Sequence, residues 1–190
     1  MSTSVLYMSM SVDGYINDSD DALGGDDGER LHEWIVNPDG VSGRPSGPAG
    51  QLWDEWNATG AVVAGRRTVE QVDHWSGDHH GVPIFVPSHG PPGPSVANYP
   101  LVTYVTDGII STMAQAKVAA GDRNVMVHGA YTAQRALEAG VLEELQIHQI
   151  PVLLGGGRRL FDVLPSLIEL DIVRVIDTPE ATHIRYRVRR

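Results

Sequence analysis

Short apolar runs recur along the chain and alternate with stretches whose apolar residues lie three or four positions apart. The run Val5 to Val12 is mostly apolar on both faces, which is typical of a central strand in a parallel sheet. Similar runs predict further strands at residues 60–64, 82–86, 101–105, 125–127 and 145–154. Strands that alternate with helices predict an α/β fold, with a mostly parallel sheet and helices on both faces.

The segments between these runs predict the helices. The segment 51–58 places its large apolar side chains on one side, and Asp107 can cap a helix whose apolar stripe reaches Ala120. The other predicted helices cover residues 29–35, 66–72 and 133–141, and Gly140 is a natural C-cap of the last one. Two segments without periodicity, 17–28 and 37–50, are predicted to be loops.

The C-terminal segment follows a different pattern. Two runs, Leu170 to Ile176 and Thr182 to Val188, flank a turn at Asp177 to Pro179. In the second run every other residue is polar, at His183, Arg185 and Arg187, which is the period of a half-exposed strand. The tail therefore predicts an antiparallel hairpin at the end of the sheet.

Length and composition restrict the possible classes of protein. A chain of 190 residues predicts a single domain over 1–190, and its 42% hydrophobic content suits a globular core. The formal charge of −10 argues against nucleic acid or anionic membranes as partners. Without cysteine there can be no disulfide or thiol catalysis, and neither a signal peptide nor a membrane-spanning run is visible. We expect a cytoplasmic protein.

Each of two glycine-containing turns connects a predicted strand to a predicted helix. Gly65 to Thr68 reads Gly-Arg-Arg-Thr, and arginine can contact a phosphate through two parallel hydrogen bonds. Two cations at the positive end of a helix are unfavourable without an anion, which favours a bound phosphate. The simpler interpretation is a solvated pair of basic residues. The second turn is His128-Gly129-Ala130, where backbone N–H groups at the helix start suit a phosphate.

Three stretches together carry a resemblance to a known family. They are His128 to Phe161, which includes Leu-Glu-Glu-Leu and Pro-Val-Leu-Leu-Gly-Gly-Gly, then Ser11 to Ile16, and Gly65 to Thr68. The chain resembles the reductase domain of riboflavin biosynthesis and its relatives in the dihydrofolate-reductase-like superfamily. The resemblance implies a three-layer αβα fold with a mostly parallel sheet and a C-terminal antiparallel hairpin. It also implies a homodimeric, NADPH-dependent reductase of a planar heterocycle, such as a pterin or a pyrimidine.

The resemblance also implies which residues hold the cofactor. They are Gly65, Arg66, Arg67, Thr68, Ser88, His128, Gly129, Ala130, Tyr131 and Thr132. The chain departs from the family pattern twice: Gly90 stands where relatives have an arginine, and His128 stands where most have glycine. Both departures favour the alternative of a non-catalytic nucleotide- or ligand-binding protein with the same fold.

The substrate pocket is assigned to Asp13, Trp34 and His148, with Asp13 or His148 delivering a proton. Each has a simpler interpretation. Asp13 can form an Asx turn, and both Trp34 and His148 can be core residues.

A metal-dependent hydrolase is a third possibility. The loop residues His74, Asp78, His79 and His80 include metal-ligand types, but a polar surface loop offers them no supporting shell. The chain contains no Walker loop, no Gly-x-Gly-x-x-Gly motif and no nucleophile elbow. We therefore expect no metal site.

Overall fold

The structure of the protein, a computed structural model, describes residues 2–17, 29–35, 43–162 and 164–189. The predicted loop at 17–28 lies outside the described residues except for Asn17, as does the first part of the predicted loop at 37–50.

The described residues form eight strands and four α-helices. The strands are β1 (Ser4–Ser11), β2 (Ala61–Ala64), β3 (Ile84–Pro87), β4 (Val102–Val105), β5 (Val125–His128), β6 (Glu144–Ile150), β7 (Leu170–Asp177) and β8 (Thr182–Val188). The helices are α1 (Gly50–Asn57), α2 (Arg66–Gln71), α3 (Gly108–Ala120) and α4 (Ala130–Glu138). They form an eight-stranded, mostly parallel sheet that ends in an antiparallel hairpin, so the predicted fold class is confirmed.

Several predicted elements are shorter in the structure. Strand β6 ends at Ile150 because Pro151 has no N–H with which to continue the ladder. The predicted helix at 29–35 is helical at 29–30 and forms a short 3₁₀ turn at Glu33–Ile35. Strand β3 begins at Ile84, two residues later than predicted, because Val82 instead makes an isolated bridge with His79.

The described chain divides into two compact units. The first contains Met1–Leu6 and Ala58–Glu144. Its strands lie in the order β4-β3-β2-β5, followed by the first residues of β1, and the pairs within it are parallel. Strands β2 and β5 are buried on both faces, which is why they read as continuous apolar runs. Their carboxyl ends lie side by side, since Ala64 pairs with His128.

The second unit contains Tyr7–Asn57 and Leu145–Arg190. It holds the rest of β1 followed by β6, β8 and β7, with β7 and β8 antiparallel. Its apolar cluster is formed by Leu31, Trp34, Ile35, Leu52, Ile150, Ile176 and Ala181.

The alternation in β8 places the polar positions inward. His183 is 1% exposed and Arg185 is 8% exposed, whereas Ile184 and Tyr186 are half-buried. In the neighbouring strand β7 the apolar residue Ile172 is 68% exposed. The buried face of this hairpin therefore carries titratable groups, which makes it a candidate for function.

Candidate functional site

In the first unit, two glycines lie at the carboxyl ends of the adjacent parallel strands β2 and β5. A Cβ atom on Gly65 would lie 2.7 Å from Oγ1 of Thr132, and one on Gly129 would lie 2.9 Å from Oγ1 of Thr68. Real Cβ atoms do not approach other atoms so closely, so a side chain at either position would require the neighbouring threonine to move. We call this group of Gly65, Thr68, Gly129 and Thr132 the glycine–threonine cradle.

The cradle holds the start of α4 at the end of β5. Gly129 has φ +94°, a backbone conformation that glycine adopts without strain, and its carbonyl oxygen accepts the N–H of Ala133. The first N–H groups of a helix have no partner within the helix. These groups therefore emerge at the strand end, beside Ala130, which is buried, and Tyr131, which is 62% exposed.

Arg66 lies at the start of α2 and reaches the loop after β3. Its Nε donates to Oε1 of Glu70 at 2.7 Å, and its Nη1 donates to Oγ of Ser88 at 3.3 Å and to the carbonyl oxygen of Pro91 at 3.4 Å. The hydroxyl of Ser88 closes the loop by donating to the carbonyl oxygen of Gly90 at 2.8 Å. Arg66 and Ser88 are therefore brought together, as a shared phosphate site requires, whereas Arg67 is exposed.

The side chain of His128 lies among aromatic rings. Its centroid is 5.5 Å from that of His79 and 6.0 Å from that of Trp75, and the rings of Trp75 and His79 meet edge to face at 4.5 Å. Burial lowers the pKa of His79 to about 2, so this imidazole is neutral. No local pattern in the sequence indicates this cluster, because it depends on the backbone of the segment that precedes His79.

That segment has an unusual backbone. Four consecutive residues, Asp73 to Ser76, have φ between 44° and 55°, which is costly for L-residues. Side chains fix the turn at both ends. His74 is buried and its Nε2 lies 2.9 Å from the hydroxyl of Tyr104, while the hydroxyl of Tyr99 donates to Asp73 at 2.8 Å. Trp75 is therefore held beside His128 by contacts remote in sequence.

In the second unit, Asp13 anchors the turn after β1. Its carboxylate accepts the Ser11 hydroxyl at 2.6 Å and the backbone N–H groups of Leu154 and Gly155 at 3.2 and 2.8 Å. The hydrogen bond from Ser11 and those from the backbone hold the pKa of Asp13 below its ordinary value. The guanidinium of Arg159 donates to the carbonyl oxygen of Asp13 at 3.0 Å. Asp13 is therefore an ionised anchor at neutral pH.

His148, on β6, forms a buried pair with His183, on β8. Their Nδ1 atoms are 2.8 Å apart, and the two residues are 4% and 1% exposed. The ring of Trp34 lies against both imidazoles, with centroid distances of 4.3 Å to His148 and 4.8 Å to His183. The indole N–H of Trp34 donates to Oγ of Ser9 at 3.0 Å, which fixes the position of the ring. Burial lowers the pKa of His183 to about 4.

A charged network continues from this pair along the same two strands and β7. Nη2 of Arg174 donates to Oε2 of Glu55 at 2.8 Å and to Oε1 of Gln146 at 3.2 Å, and Nη1 of Arg185 donates to the hydroxyl of Tyr7 at 3.2 Å. Burial opposes ionisation of Glu55, but the hydrogen bonds and charge of Arg174 outweigh it, and the pKa of Glu55 is lowered. Glu55 therefore balances buried positive charge.

The architecture and the strand-end glycines agree with the comparison against known families. The model of the RibD C-terminal domain matches residues 3–184. The chain belongs to the RibD C-terminal domain family. This confirms the resemblance to the reductase domain of riboflavin biosynthesis. A comparison with curated proteins gave no match.

Solved structures give the same result. A protein from Shewanella sp. PV-4, provisionally named a riboflavin biosynthesis protein, is 25% identical, with 99% of both chains covered and a TM-score of 0.77. The Thermotoga maritima diaminohydroxyphosphoribosylaminopyrimidine deaminase/5-amino-6-(5-phosphoribosylamino)uracil reductase is 13% identical over 98% of this chain and 56% of its own, with a TM-score of 0.63. A pyrimidine reductase-like protein from Corynebacterium diphtheriae is 12% identical over 100% of this chain and 92% of its own, with a TM-score of 0.61. At 12–13% identity these two likenesses show the fold.

In this RibD C-terminal domain protein the predicted residues divide between the two units. In the second unit Trp34 contacts His148, and Asp13 contacts Ser11, Leu154 and Gly155. The cradle, its neighbours and the Arg66–Ser88 contact lie in the first unit, while Asp13, Trp34 and His148 lie in the second. Trp75 and His183 were not predicted from the sequence. A signal for His183 was present, because the period of β8 gives His183 and Arg185 the same face.

Within 2–17, 29–35, 43–162 and 164–189, no helix combines the length and apolar character that a membrane crossing needs. Over the same ranges, no cluster of three or more His, Asp or Glu side chains is arranged to hold a metal ion. The loop histidines instead contact other side chains: the Nδ1 atoms of His79 and His80 are 2.6 Å apart, and Nε2 of His80 lies 3.0 Å from the hydroxyl of Thr59.

Proposed function

We propose that this member of the RibD C-terminal domain family is an NADPH-dependent reductase of a small planar heterocycle of the pyrimidine or pterin type. The observation that carries the proposal is the glycine–threonine cradle at the ends of β2 and β5. Ligands of open α/β sheets bind outside the carboxyl ends of the strands. The name of the Thermotoga relative supports a pyrimidine, since it includes a 5-amino-6-(5-phosphoribosylamino)uracil reductase.

The residues of the first unit fit a dinucleotide phosphate. Gly65 and Gly129 have no side chains that would keep a ligand from the backbone. The hydroxyls of Thr132 and Thr68 lie beside these two glycines. Arg66 offers a cation beside the hydroxyl of Ser88, and a bidentate arginine suits the 2′-phosphate that distinguishes NADPH. The bound cofactor would supply the hydride, while the protein positions the reactants and excludes water.

We assign the substrate to residues of the second unit. Trp34 offers a fixed planar ring and His148 an imidazole beside it, and both suit a flat, polar heterocycle. Asp13 keeps a supporting role, because a carboxylate with a lowered pKa is a poor proton donor. His148 is therefore the proposed hydrogen-bond or proton donor.

The test has two arms. Fluorescence titration with NADPH measures cofactor binding, and the loss of dihydronicotinamide absorbance on adding 5-amino-6-(5-phosphoribosylamino)uracil, or a panel of pterins and pyrimidines, measures reduction. Binding with turnover supports the reductase. Binding without turnover would instead support a non-catalytic nucleotide-binding protein, an alternative that the bulk of His128 at the strand end favours. Absence of binding would contradict both.

A further inference from the structure

The Nδ1–Nδ1 contact between His148 and His183 requires the two rings to take different protonation patterns. At 2.8 Å the two nitrogens share one hydrogen bond, so one must carry the proton and the other must offer its lone pair. Two neutral rings can satisfy this in two ways. The structure distinguishes between them through the second nitrogen of His183.

Nε2 of His183 is buried and has no hydrogen-bond partner among the described residues. A neutral imidazole has one N–H, so a proton on Nε2 would leave a buried donor unsatisfied, which is rarely found in folded proteins. A proton on Nδ1 is instead used in the bond to His148. The neutral state of His183 agrees with its burial, which lowers its pKa to about 4.

The consequence for His148 follows directly. Its Nδ1 accepts the N–H of His183, so a neutral His148 must carry its own proton on Nε2. Trp34 lies against both rings and is itself held by Ser9, so the two imidazoles are kept with their Nδ1 atoms facing each other. The hydrogen bond made by one nitrogen of a neutral histidine thus sets whether the other nitrogen is a donor or an acceptor.

We infer that His183 is a positioning residue that holds His148 as the Nε2–H tautomer, so that His148 donates a hydrogen bond to an acceptor atom of the heterocyclic substrate. This inference rests on the proposed reductase function. A neutral imidazole N–H can polarise a carbonyl or imine without giving up its proton, as occurs at other enzyme sites.

The first experiment needs neither cofactor nor substrate. Long-range ¹H–¹⁵N spectra of the protein labelled with ¹⁵N-histidine report which nitrogen of each ring carries a proton. The His148→Gln and His183→Asn variants assign the two rings. We expect a protonated Nε2 on His148 and a protonated Nδ1 on His183. The opposite pattern, or a doubly protonated His148, would overturn the inference.

The second experiment separates positioning from packing. His183→Leu fills part of the space but removes the donor, whereas His183→Asn keeps an amide N–H near the position of Nδ1. With NADPH and 5-amino-6-(5-phosphoribosylamino)uracil, we expect His183→Leu to lower kcat about tenfold with little change in the KM for NADPH. His183→Asn should recover most of this loss. Equal losses in the two variants, with similar thermal unfolding, would show that the ring acts only by packing.

The two experiments also separate this inference from the proposed function. If the wild-type protein reduces none of the compounds tested, the reductase proposal fails, while the spectra still decide the tautomers of the pair. If the protein is active but the spectra show the opposite tautomers, the reductase stands and the role of His183 is refuted.

Discussion

A Cβ atom on Gly129 would lie 2.9 Å from Oγ1 of Thr68, so a side chain on the first residue after β5 would force a hydroxyl of α2 to move. Gly129 also has φ +94°. Gly129→Ala should therefore displace Thr68 as well as strain the backbone. We expect at least a tenfold loss of NADPH affinity, measured by fluorescence titration, because the cradle opens.

Gly140 provides the matched control. It follows α4 in the same unit and has φ +66°, but a Cβ atom there would meet nothing within 4 Å. Gly140→Ala should lower the unfolding free energy by about 1 kcal/mol and leave NADPH affinity unchanged. If both variants bind NADPH like the wild type, the cradle does not hold the cofactor.

Arg66 should determine the preference for NADPH over NADH. A charge-assisted arginine–phosphate contact contributes about 1.5–3 kcal/mol, which corresponds to roughly ten- to a hundredfold in affinity. Arg66→Ala should therefore reduce NADPH affinity by that factor and leave NADH affinity nearly unchanged. Parallel fluorescence titrations of the two cofactors measure the difference.

Arg135 serves as the control for charge. It is also half-exposed and paired with a glutamate on its own helix, Glu138 at 2.7 Å. Arg135→Ala changes the net charge equally and should leave the ratio of the two affinities as it is in the wild type. An unchanged ratio in Arg66→Ala would show that Arg66 has no role at the 2′-phosphate.

His183 should make the protein less stable in mild acid. Its pKa is about 4 in the folded state and about 6.5 in an unfolded chain, so between these values only the unfolded state binds the proton. The stability is therefore complete above about pH 6.5 and falls as the pH drops toward about 4. Among the charges that act on the ring, Glu180 and Asp177 raise its pKa and Arg174 lowers it.

Urea unfolding at about pH 7.5 and about pH 5 measures this effect. One such histidine accounts for on the order of 1–2 kcal/mol of the difference between the two conditions. His183→Asn should reduce the difference by that amount, whatever its effect at neutral pH. His79, whose pKa is about 2, acts in the same direction and should keep part of the dependence in the variant. An undiminished difference would mean that His183 is not neutral in the folded protein.

Much of the fold could be read from the sequence because local pattern and tertiary burial agree in the first unit. The fully buried strands β2 and β5 are continuous apolar runs, and the glycines that follow them mark both turns. The hairpin β7–β8 was also recognisable, because the alternation and the turn at Asp177 to Pro179 are local signals. Boundaries differed by one or two residues at most strands, and by four at the end of β6.

The site was less predictable because its contacts join residues far apart in the sequence. His148 and His183 are 35 positions apart, and only the pairing of β6 with β8 brings them together. The position of Trp75 depends on a left-handed turn that contains no glycine and so has no sequence signal. The contacts of His74 and Asp73 hold this turn. Neither arrangement has a local signature.

We expect the protein to form a homodimer through β7. This strand is the last in the sheet order, and it exposes Ile172 by 68% and Val175 by 53%. An apolar edge strand left uncovered is prone to pair with another chain. Ile172→Lys should yield a monomer in light scattering at micromolar concentration, whereas Val118→Lys, at a position that is 84% exposed on α3, should not. A monomeric wild-type protein would contradict this prediction.

The most direct test of the central claim is the NADPH oxidation that 5-amino-6-(5-phosphoribosylamino)uracil causes, measured for the wild type, Gly129→Ala and Gly140→Ala at saturating substrate. A reductase that holds its cofactor in the cradle predicts turnover by the wild type and by Gly140→Ala. Gly129→Ala should need at least tenfold more NADPH to reach half its maximal rate. Turnover by Gly129→Ala with an unchanged NADPH requirement would contradict the account, as would a wild-type protein that binds NADPH but oxidises none of it with any pyrimidine or pterin.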